Sequence, residues 1–181
     1  MQKISNYAFI DSQNLNLGVR SDVFRKNKTL YKGWELDFQQ FYIYLRDVHR
    51  VSQAYLFIGY KSGNEPLYTM LQKCGYICIF KPTLDVRGII KGNCDAELVL
   101  HTMIEYSSYD QAIIVSGDGD FHCLIEYLQK QDKLYKVLIP NKYRYSSLLL
   151  KFANYFEYVS QLKSRLEKQK SRHNPKHVAV G

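Results

Sequence analysis

Four aspartates lie at the ends of apolar segments, where a fold could bring them together. Asp11 ends the segment YAFID, and Asp118 and Asp120 follow the segment IIVSG. Asp95 begins the segment DAELVL. Carboxylates crowded into one cleft repel one another and must take up protons or bind a cation. Oxygen ligands without clustered thiolates or imidazoles favour Mg²⁺ or Mn²⁺, so these four aspartates predict a metal site.

Such a site suits the hydrolysis of phosphate esters. A divalent cation can orient a phosphodiester, activate a bound water and neutralise charge on the leaving oxygen. Gly117 and Gly119 lack side chains, which would let a phosphate approach the backbone closely. Asp95 or Asp120 alone could instead be a helix N-cap, because each precedes a predicted helical segment. Capping does not account for Asp118 together with Asp11, so a metal site is favoured for the set.

The apolar pattern alternates between strand-like and helix-like segments, which is typical of βα units around a parallel sheet. We predict strands at residues 7–10, 54–58, 76–80, 112–115, 135–139 and 155–159. We predict helices at residues 37–49, 66–73, 94–106, 121–131 and 146–152, a basic helix near the C-terminus, and loops at 21–33 and 83–93. The expected fold is α/β, with a mainly parallel sheet of order about 3-2-1-4-5 and helices on both faces. Ligands bind beyond the carboxyl ends of such strands, where the order reverses between strands 1 and 4.

The helix predicted at 94–106 has two stripes at 100° per residue. One is apolar and comprises Ala96, Val99, Leu100, Met103 and Ile104. The other comprises Glu97, His101 and Glu105. We expect the apolar stripe to face the core and the second stripe to face solvent.

Composition indicates one globular domain with a short appendage. The chain has 181 residues, is 46% hydrophobic and carries a formal charge of +8. Residues 160–181 hold six basic residues against Glu167 alone, so we divide the chain into a domain at 1–160 and a basic tail at 161–181. No signal peptide or membrane span is recognisable, and the four cysteines lack a C-x-x-C spacing. We therefore expect a soluble, cytoplasmic protein without structural zinc or a membrane partner.

Other phosphate and hydrolase motifs are absent from the sequence. There is no G-x-x-x-x-G-K-[ST], and no G-x-G-x-x-G follows the first strand. The segment DSQNLNLG does not fit a Ca²⁺ loop, and no G-x-S-x-G elbow is present. These absences argue against P-loop, dinucleotide-binding, EF-hand and serine hydrolase classes.

Three segments, FIDSQNLN, KGNCDAELVL and IIVSGDGDF, resemble the motifs of the NYN domain, specifically its LabA-like group, a branch of the PIN-like nuclease superfamily. The resemblance spans about residues 4–159. It implies a PIN-like Rossmannoid three-layer fold and a ribonuclease supported by Mg²⁺ or Mn²⁺. Products would carry a 5′ phosphate, and a homodimer is suggested.

Carried over to this chain, the resemblance assigns catalysis and metal binding to the four aspartates. It also assigns a role in positioning phosphate or metal-bound water to Asn14, and hydrogen-bond donation to Ser116. Asn14 could equally form an Asx-type turn or cap. Many relatives have an acid where this chain has His101; Glu97 is the nearest substitute, but it lies about 160° from Asp95 on a regular helix.

Basic residues at strand-end loops could bind the RNA backbone. Lys91, Lys142 and Arg144 are the candidates, with Tyr143 and Tyr145 as candidate stacking faces. Two alternatives stay open beside a ribonuclease. One is a catalytically weak RNA- or protein-binding module on the same fold, and the other is a phosphatase or nucleotidase acting on small phosphates.

Overall fold

A six-stranded parallel sheet with helices on both faces forms the centre of the protein. The structure is a computed structural model that describes residues 5–82, 84–86, 89–91 and 94–169, with the side chains of 82–91 outside the described part. The strands are β1 (Asn6–Asp11), β2 (Val23–Arg25), β3 (Lys28–Tyr31), β4 (Val51–Tyr60), β5 (Ile77–Pro82), β6 (Leu84–Val86), β7 (Ile89–Lys91), β8 (Ala112–Val115), β9 (Leu134–Ile139) and β10 (Phe156–Tyr158). The helices are α1 (Ser12–Arg20), α2 (Phe38–His49), α3 (Glu65–Cys74), α4 (Asp95–Ile104), α5 (His122–Lys130) and α6 (Lys163–Leu166), with 3₁₀ helices at Gly119–Phe121, Ser147–Tyr155 and Val159–Gln161.

The order of the sheet is β10-β9-β8-β1-β4-β5. Counted along the six predicted strands, this is 3-2-1-4-5 with the sixth strand added beside the fifth, so the prediction is confirmed. Strand β1 pairs in parallel with β4 and with β8, where Ile10 lies opposite Val115. Asp11 and the segment after Val115 therefore reach the same carboxyl edge on neighbouring strands.

Alternate residues of β1 point into two separate hydrophobic cores. Ala8 and Ile10 join the core beneath α1, α2 and α3, whereas Tyr7 and Phe9 join the core beneath α4 and α5. Successive side chains of a strand point to opposite faces, so a strand buried on both faces needs helices on both sides. This is the predicted three-layer α/β arrangement.

Both predicted loops contain short antiparallel strand pairs. Strands β2 and β3 form a hairpin within residues 21–33, and β6 pairs with β7 within residues 83–93. Helix α1 was also not predicted, although its buried residues Leu15 and Val19 are spaced four apart. Strands of three or four residues are too short to show alternation, and α1 has too few apolar residues for a clear helical period.

Helix α4 packs with a different face from the one predicted. Its buried residues are Leu98 and Thr102, whereas Leu100 and Ile104 are 58% and 59% exposed. His101, predicted to face solvent, is half-buried and packs against the ring of Phe57, with the centroids 5.7 Å apart. The prediction of the apolar stripe was wrong because the rotation of the helix is set by contacts with the sheet, which periodicity alone does not contain.

The described part of the basic C-terminal segment is docked on the domain. Leu166 of α6 is fully buried, and its carbonyl accepts a 2.9 Å hydrogen bond from the Asp37 N–H. Lys168 Nζ lies 2.8 Å from Glu35 Oε1. Residues 170–181 lie outside the described residues, and the domain boundary at 160 stays a prediction. In the ranges described, every helix is too short or too polar to cross a bilayer.

A half-buried carboxylate ties the edge strand β10 to helix α2. Glu157 accepts a short hydrogen bond from the Tyr44 hydroxyl. His49 is buried, and its Nε2 lies 3.4 Å from Glu157 Oε2, close enough for an ion pair but poorly aligned for a hydrogen bond. Burial raises the pKa of Glu157, but the contacts with His49 and Tyr44 lower it by more, so the pKa lies below its ordinary value.

Glu157→Gln is expected to lower the free energy of unfolding by about 1–3 kcal/mol at neutral pH, because an amide replaces a charged acceptor. A carboxyl with a depressed folded-state pKa stabilises the fold above its unfolded pKa, which is near 4.5 here, and loses this effect as pH falls through the folded value. The difference between wild type and variant should therefore shrink below pH 4.5 in urea titrations. Glu126→Gln, which removes an exposed pair with Lys151, is the control and should change stability less.

Candidate metal centre

Three carboxylates meet at the carboxyl edge of the sheet. One oxygen from each of Asp95, Asp118 and Asp120 lies within 4.8 Å of the others. Asp118 and Asp120 follow β8, and Asp95 is the first residue of α4. Asp11 ends β1, the neighbouring strand, and lines the same cavity as Asp95 and Asp118. The structure thus brings together residues from three separate parts of the chain.

The capping alternative applies to different aspartates from those considered in the sequence. Asp95 is the first helical residue of α4, whose N-cap is Cys94. Asp118, rather than Asp120, caps the 3₁₀ helix, because its Oδ1 accepts a 3.0 Å hydrogen bond from the Asp120 N–H. Asp11 is likewise the N-cap of α1, because its Oδ1 accepts a 3.0 Å hydrogen bond from the Asn14 N–H. The expectation that capping does not account for Asp11 and Asp118 together was therefore wrong. A cap uses one lone pair of a carboxylate oxygen, so capping leaves both aspartates able to bind a cation.

Asp11 is half-buried at the end of β1, outside the group of three carboxylates that lie within 4.8 Å of one another. Burial raises the pKa of its carboxyl above the ordinary value, and hydrogen bonds from the Asn14 N–H and the Ser116 hydroxyl oppose this rise. The negative charges of Asp95 and Asp118 raise the pKa of Asp11 further. Crowded carboxylates therefore already disfavour one another's charge at this edge.

Asn14 and Ser116 hold the two strand ends in register. Asn14 Oδ1 accepts a 2.8 Å hydrogen bond from the Gly117 N–H, which ties the first turn of α1 to the segment after β8. Ser116 is buried; its hydroxyl donates to Asp11 Oδ2 at 3.2 Å and accepts from the Asp118 N–H at 3.1 Å. Both side chains are thus engaged in positioning the acidic residues.

Gly117 and Gly119 are in close contact with another segment of the same chain. A Cβ at Gly119 would lie 2.3 Å from Ser146 Oγ, and a Cβ at Gly117 would lie 3.1 Å from Tyr145 Cβ. The Ser146 N–H also donates to the Gly117 carbonyl at 2.9 Å. The segment after β9 therefore packs directly on both glycines, and the prediction that they leave space for a phosphate was wrong.

A cavity of about 810 Å³ opens beside the carboxylates. Arg144 is at its wall, so the segment that packs on the glycines also places a cation facing the acidic cluster. The wall includes several residues that sequence reasoning did not single out. These are Ser12, Gln13, Leu17, Gly18, Ser21, Phe57, Gly59 and Cys94.

Cys94 is the one thiol in this wall. Burial raises the pKa of the Cys94 thiol to about 11, with the charge of Glu97 adding to the rise. A thiol with that pKa is protonated at neutral pH, and the thiolate is the nucleophilic form. The cavity is therefore not arranged for cysteine catalysis.

Asn141 is a buried residue that no sequence motif pointed to. Its Nδ2 donates to the Gly18 carbonyl at 2.9 Å, and its Oδ1 accepts from the Tyr143 N–H at 2.9 Å. It thereby joins α1 to the segment that holds Arg144. Since an amide can satisfy one donor and one acceptor at once, Asn fits this position better than a carboxylate would.

Several predicted residues lie apart from the carboxylate cluster. Glu97, the proposed substitute acid, pairs with Lys81 at 3.1 Å. Lys142 is exposed, with its Nζ 4.9 Å from the centre of the exposed Tyr143 ring. Tyr145 packs instead against Phe156, with the ring centroids 5.5 Å apart.

The side chain of Lys91 lies outside the described residues. Its predicted contact with RNA therefore stays a prediction.

The donor set fits a hard divalent cation. All three clustered ligands are carboxylates, which suit Mg²⁺ or Mn²⁺. Among the described residues, the ion pairs found include none with Asp11, Asp118 or Asp120. Their negative charge is therefore left for a cation to balance.

Comparisons with known proteins identify the family. Residues 7–160 match the model of the NYN domain, a segment that contains all four aspartates. A crystal structure of a protein of unknown function from Vibrio parahaemolyticus is similar, with a TM-score of 0.66 and 25% identity over 88% of this chain and 96% of that one. No curated protein matches significantly. The likeness and the sheet order agree with a PIN-like Rossmannoid fold, and the chain belongs to the NYN domain family.

Proposed function

We propose that the protein is a metal-dependent endoribonuclease that hydrolyses RNA phosphodiester bonds with Mg²⁺ or Mn²⁺. The observation that supports this most directly is the meeting of three carboxylates within 4.8 Å in a chain of a nuclease-like family. The cavity beside them has a volume of about 810 Å³, which is in the range of pockets that bind nucleotide-sized ligands.

Some residues of the site would bind the cation, and others would bind the RNA strand. Asp95, Asp118 and Asp120 would bind the cation, with Asp11 completing the acidic edge. When bound, the cation supplies an activated water and neutralises charge on the leaving oxygen. Asn14 and Ser116 keep these carboxylates in place through the hydrogen bonds described above.

Basic side chains on the segment after β9 would bind the RNA strand. Arg144 faces the cavity and can donate two hydrogen bonds to one phosphate. Lys142 and the exposed ring of Tyr143 lie outside the cavity wall, where they could bind the next phosphate and stack on a base. The bound RNA strand would therefore run from the carboxylates past Arg144 to Lys142.

Three further features belong to the proposal. Membership of the LabA-like group is supported by the three motifs, and a cytoplasmic location by the four free cysteines. The homodimer suggested by the resemblance stays a prediction.

The test is the incubation of the purified chain with a pool of labelled single-stranded oligoribonucleotides in Mn²⁺, in Mg²⁺ and in EDTA. We expect cleavage with either metal, none in EDTA, and products with a 5′ phosphate. Folded protein that binds RNA without cleaving it in any metal would overturn the proposal and favour a binding module. Faster turnover of free nucleotides than of oligoribonucleotides would favour a nucleotidase.

A further inference from the structure

The hairpin of β2 and β3 is strongly basic. It contains none of the residues that the sequence predicted to bind RNA. Arg25, Lys26 and Lys28 are all exposed. Among the described residues, no ion pair includes any of these three side chains. Three adjacent cations on one hairpin form a local positive field that attracts polyanions.

The placement of these cations does not stabilise the hairpin. Arg25 lies directly opposite Lys28 in the antiparallel register, and like charges at such positions are destabilising. Lys26 has φ of 46°, a left-handed conformation that Gly, Asn and Asp adopt more readily than Lys. The hairpin would be more stable with other residues at these sites, so the cations need an explanation beyond folding.

An exposed aromatic ring lies on the same hairpin. Phe24 is 64% exposed, directly before Arg25 in β2. Phe24 and Arg25 are successive residues of β2, so the ring lies on the opposite face of the hairpin from Arg25 and Lys28. An exposed ring and exposed cations on one element are the combination that binds single-stranded nucleic acid, because the ring stacks on a base while the cations contact phosphates.

The hairpin is anchored to the end of α1. The Tyr31 hydroxyl donates to the Val19 carbonyl at 2.7 Å, and Asp22 accepts from the Gly33 N–H at 2.8 Å. A Cβ at Gly33 would lie 1.9 Å from the Arg20 carbonyl oxygen, which shows how closely the two segments pack. The cations are therefore presented by a fixed element.

The segment that joins α1 to the hairpin reaches the wall of the carboxylate cavity. Ser21, the residue that caps the end of α1, lines this cavity together with Asp118. Helix α1 has nine residues, so its far end lies about 14 Å from its start at Asp11. A strand bound at the carboxylates could follow α1 to the hairpin.

We propose that the basic hairpin, residues 23–31, is a second RNA-binding surface that contacts backbone phosphates through Arg25, Lys26 and Lys28 and stacks one base on Phe24. This inference rests on the proposed function for the identity of the polyanion. It assigns binding to an element at the opposite end of α1 from the acidic cluster. It commits to single-stranded RNA because the hairpin carries exposed cations and an exposed ring, and because Ser21, two residues before the hairpin, lines the carboxylate cavity.

Binding of a fluorescent single-stranded oligoribonucleotide to the full chain is measured in EDTA at several salt concentrations, so that metal-dependent cleavage does not interfere. Lys26→Asn removes one cation and introduces a residue suited to the left-handed position, so the hairpin should stay folded. The slope of log K against log salt should become shallower by about 0.7. Arg25→Gln with Lys28→Gln should make it shallower by about 1.4.

The matched control is Lys73→Gln with Lys130→Gln, which removes two cations from the ends of α3 and α5 at the opposite edge of the sheet. Its slope should equal that of wild type. Phe24→Ala should weaken binding about fivefold or more at each salt concentration without changing the slope. Circular dichroism checks that every variant is folded.

Equal slopes for wild type, Lys26→Asn and the hairpin double variant would overturn the inference. So would hairpin variants that lose binding to phosphatidylserine vesicles but keep wild-type RNA binding, since the hairpin would then be a membrane contact. If the protein binds RNA through the hairpin but never cleaves it, the proposed nuclease function is wrong and the inference about the hairpin stands. If the protein cleaves RNA but its RNA binding does not depend on the hairpin, the inference about the hairpin is wrong and the proposed nuclease function stands.

Discussion

Asp118→Asn is expected to reduce RNA cleavage about 100-fold or more while the protein stays folded. The substitution removes one charge from the cluster of three carboxylates, which weakens cation binding. An asparagine oxygen can still accept the hydrogen bond from the Asp120 N–H, so the 3₁₀ helix keeps its cap. Single-turnover cleavage in Mn²⁺ measures the effect on activity.

The same variant has a readout that does not depend on activity. A cation that binds only the folded state raises the melting temperature, by an amount set by its affinity. Mn²⁺ should therefore raise the melting temperature of wild type more than that of Asp118→Asn, whereas in EDTA the variant should be at least as stable because one repulsive charge is gone.

Asp132→Asn is the control for the charge change. Asp132 is exposed after the end of α5 and has φ of 54°, a conformation that asparagine also adopts. The Asp132→Asn variant should cleave RNA as wild type does, and Mn²⁺ should raise its melting temperature by the same amount. Wild-type cleavage by Asp118→Asn would show that the acidic cluster is not the catalytic centre.

Phe9→Ala is expected to lower the free energy of unfolding by about 3–5 kcal/mol. Phe9 is fully buried in the central strand β1, stacked on Tyr55 at 5.4 Å and edge-on to Tyr109 at 5.7 Å. Truncation removes buried apolar surface and leaves a cavity that rigid neighbours on two strands cannot fill. Urea titration followed by circular dichroism measures the loss.

Activity should also fall in Phe9→Ala, because Phe9 lies two residues before Asp11 on the same strand. Phe24→Ala removes the same side chain from a position that is 64% exposed, so its stability should be close to that of wild type. A loss below 1 kcal/mol for Phe9→Ala would mean that the core beneath α4 and α5 is loosely packed.

The sheet could be predicted because each long strand is a run of apolar residues bounded by a polar or proline residue. The strand 112–115 agrees with β8 at both ends. The strand order follows the doubly wound arrangement of alternating βα units, which places the first and fourth predicted strands together. The short hairpin strands carry no such pattern, and their pairing depends on contacts with α1.

The acidic residues of the candidate site were predictable, and so were Asn14, Ser116 and Arg144, which lie beside them. Asp11 and Asp118 follow neighbouring parallel strands, so topology alone brings them to one edge. The roles of Asn141 and Ser146, and the packing of the segment after β9 on Gly117 and Gly119, arise between residues distant in sequence. No local pattern encodes such contacts.

The sequence by itself determined the α/β class, the order of the main strands and the acidic edge. These depend on side-chain periodicity, on the fixed handedness of parallel connections and on the strand order usual in doubly wound folds, which are local or general properties. Only the tertiary structure decided which face of α4 is buried, how the basic hairpin is anchored and which carboxylates lie within reach of one cation. Each of these depends on the rotation of an element against its neighbours, and that rotation is set by packing between residues far apart in the chain.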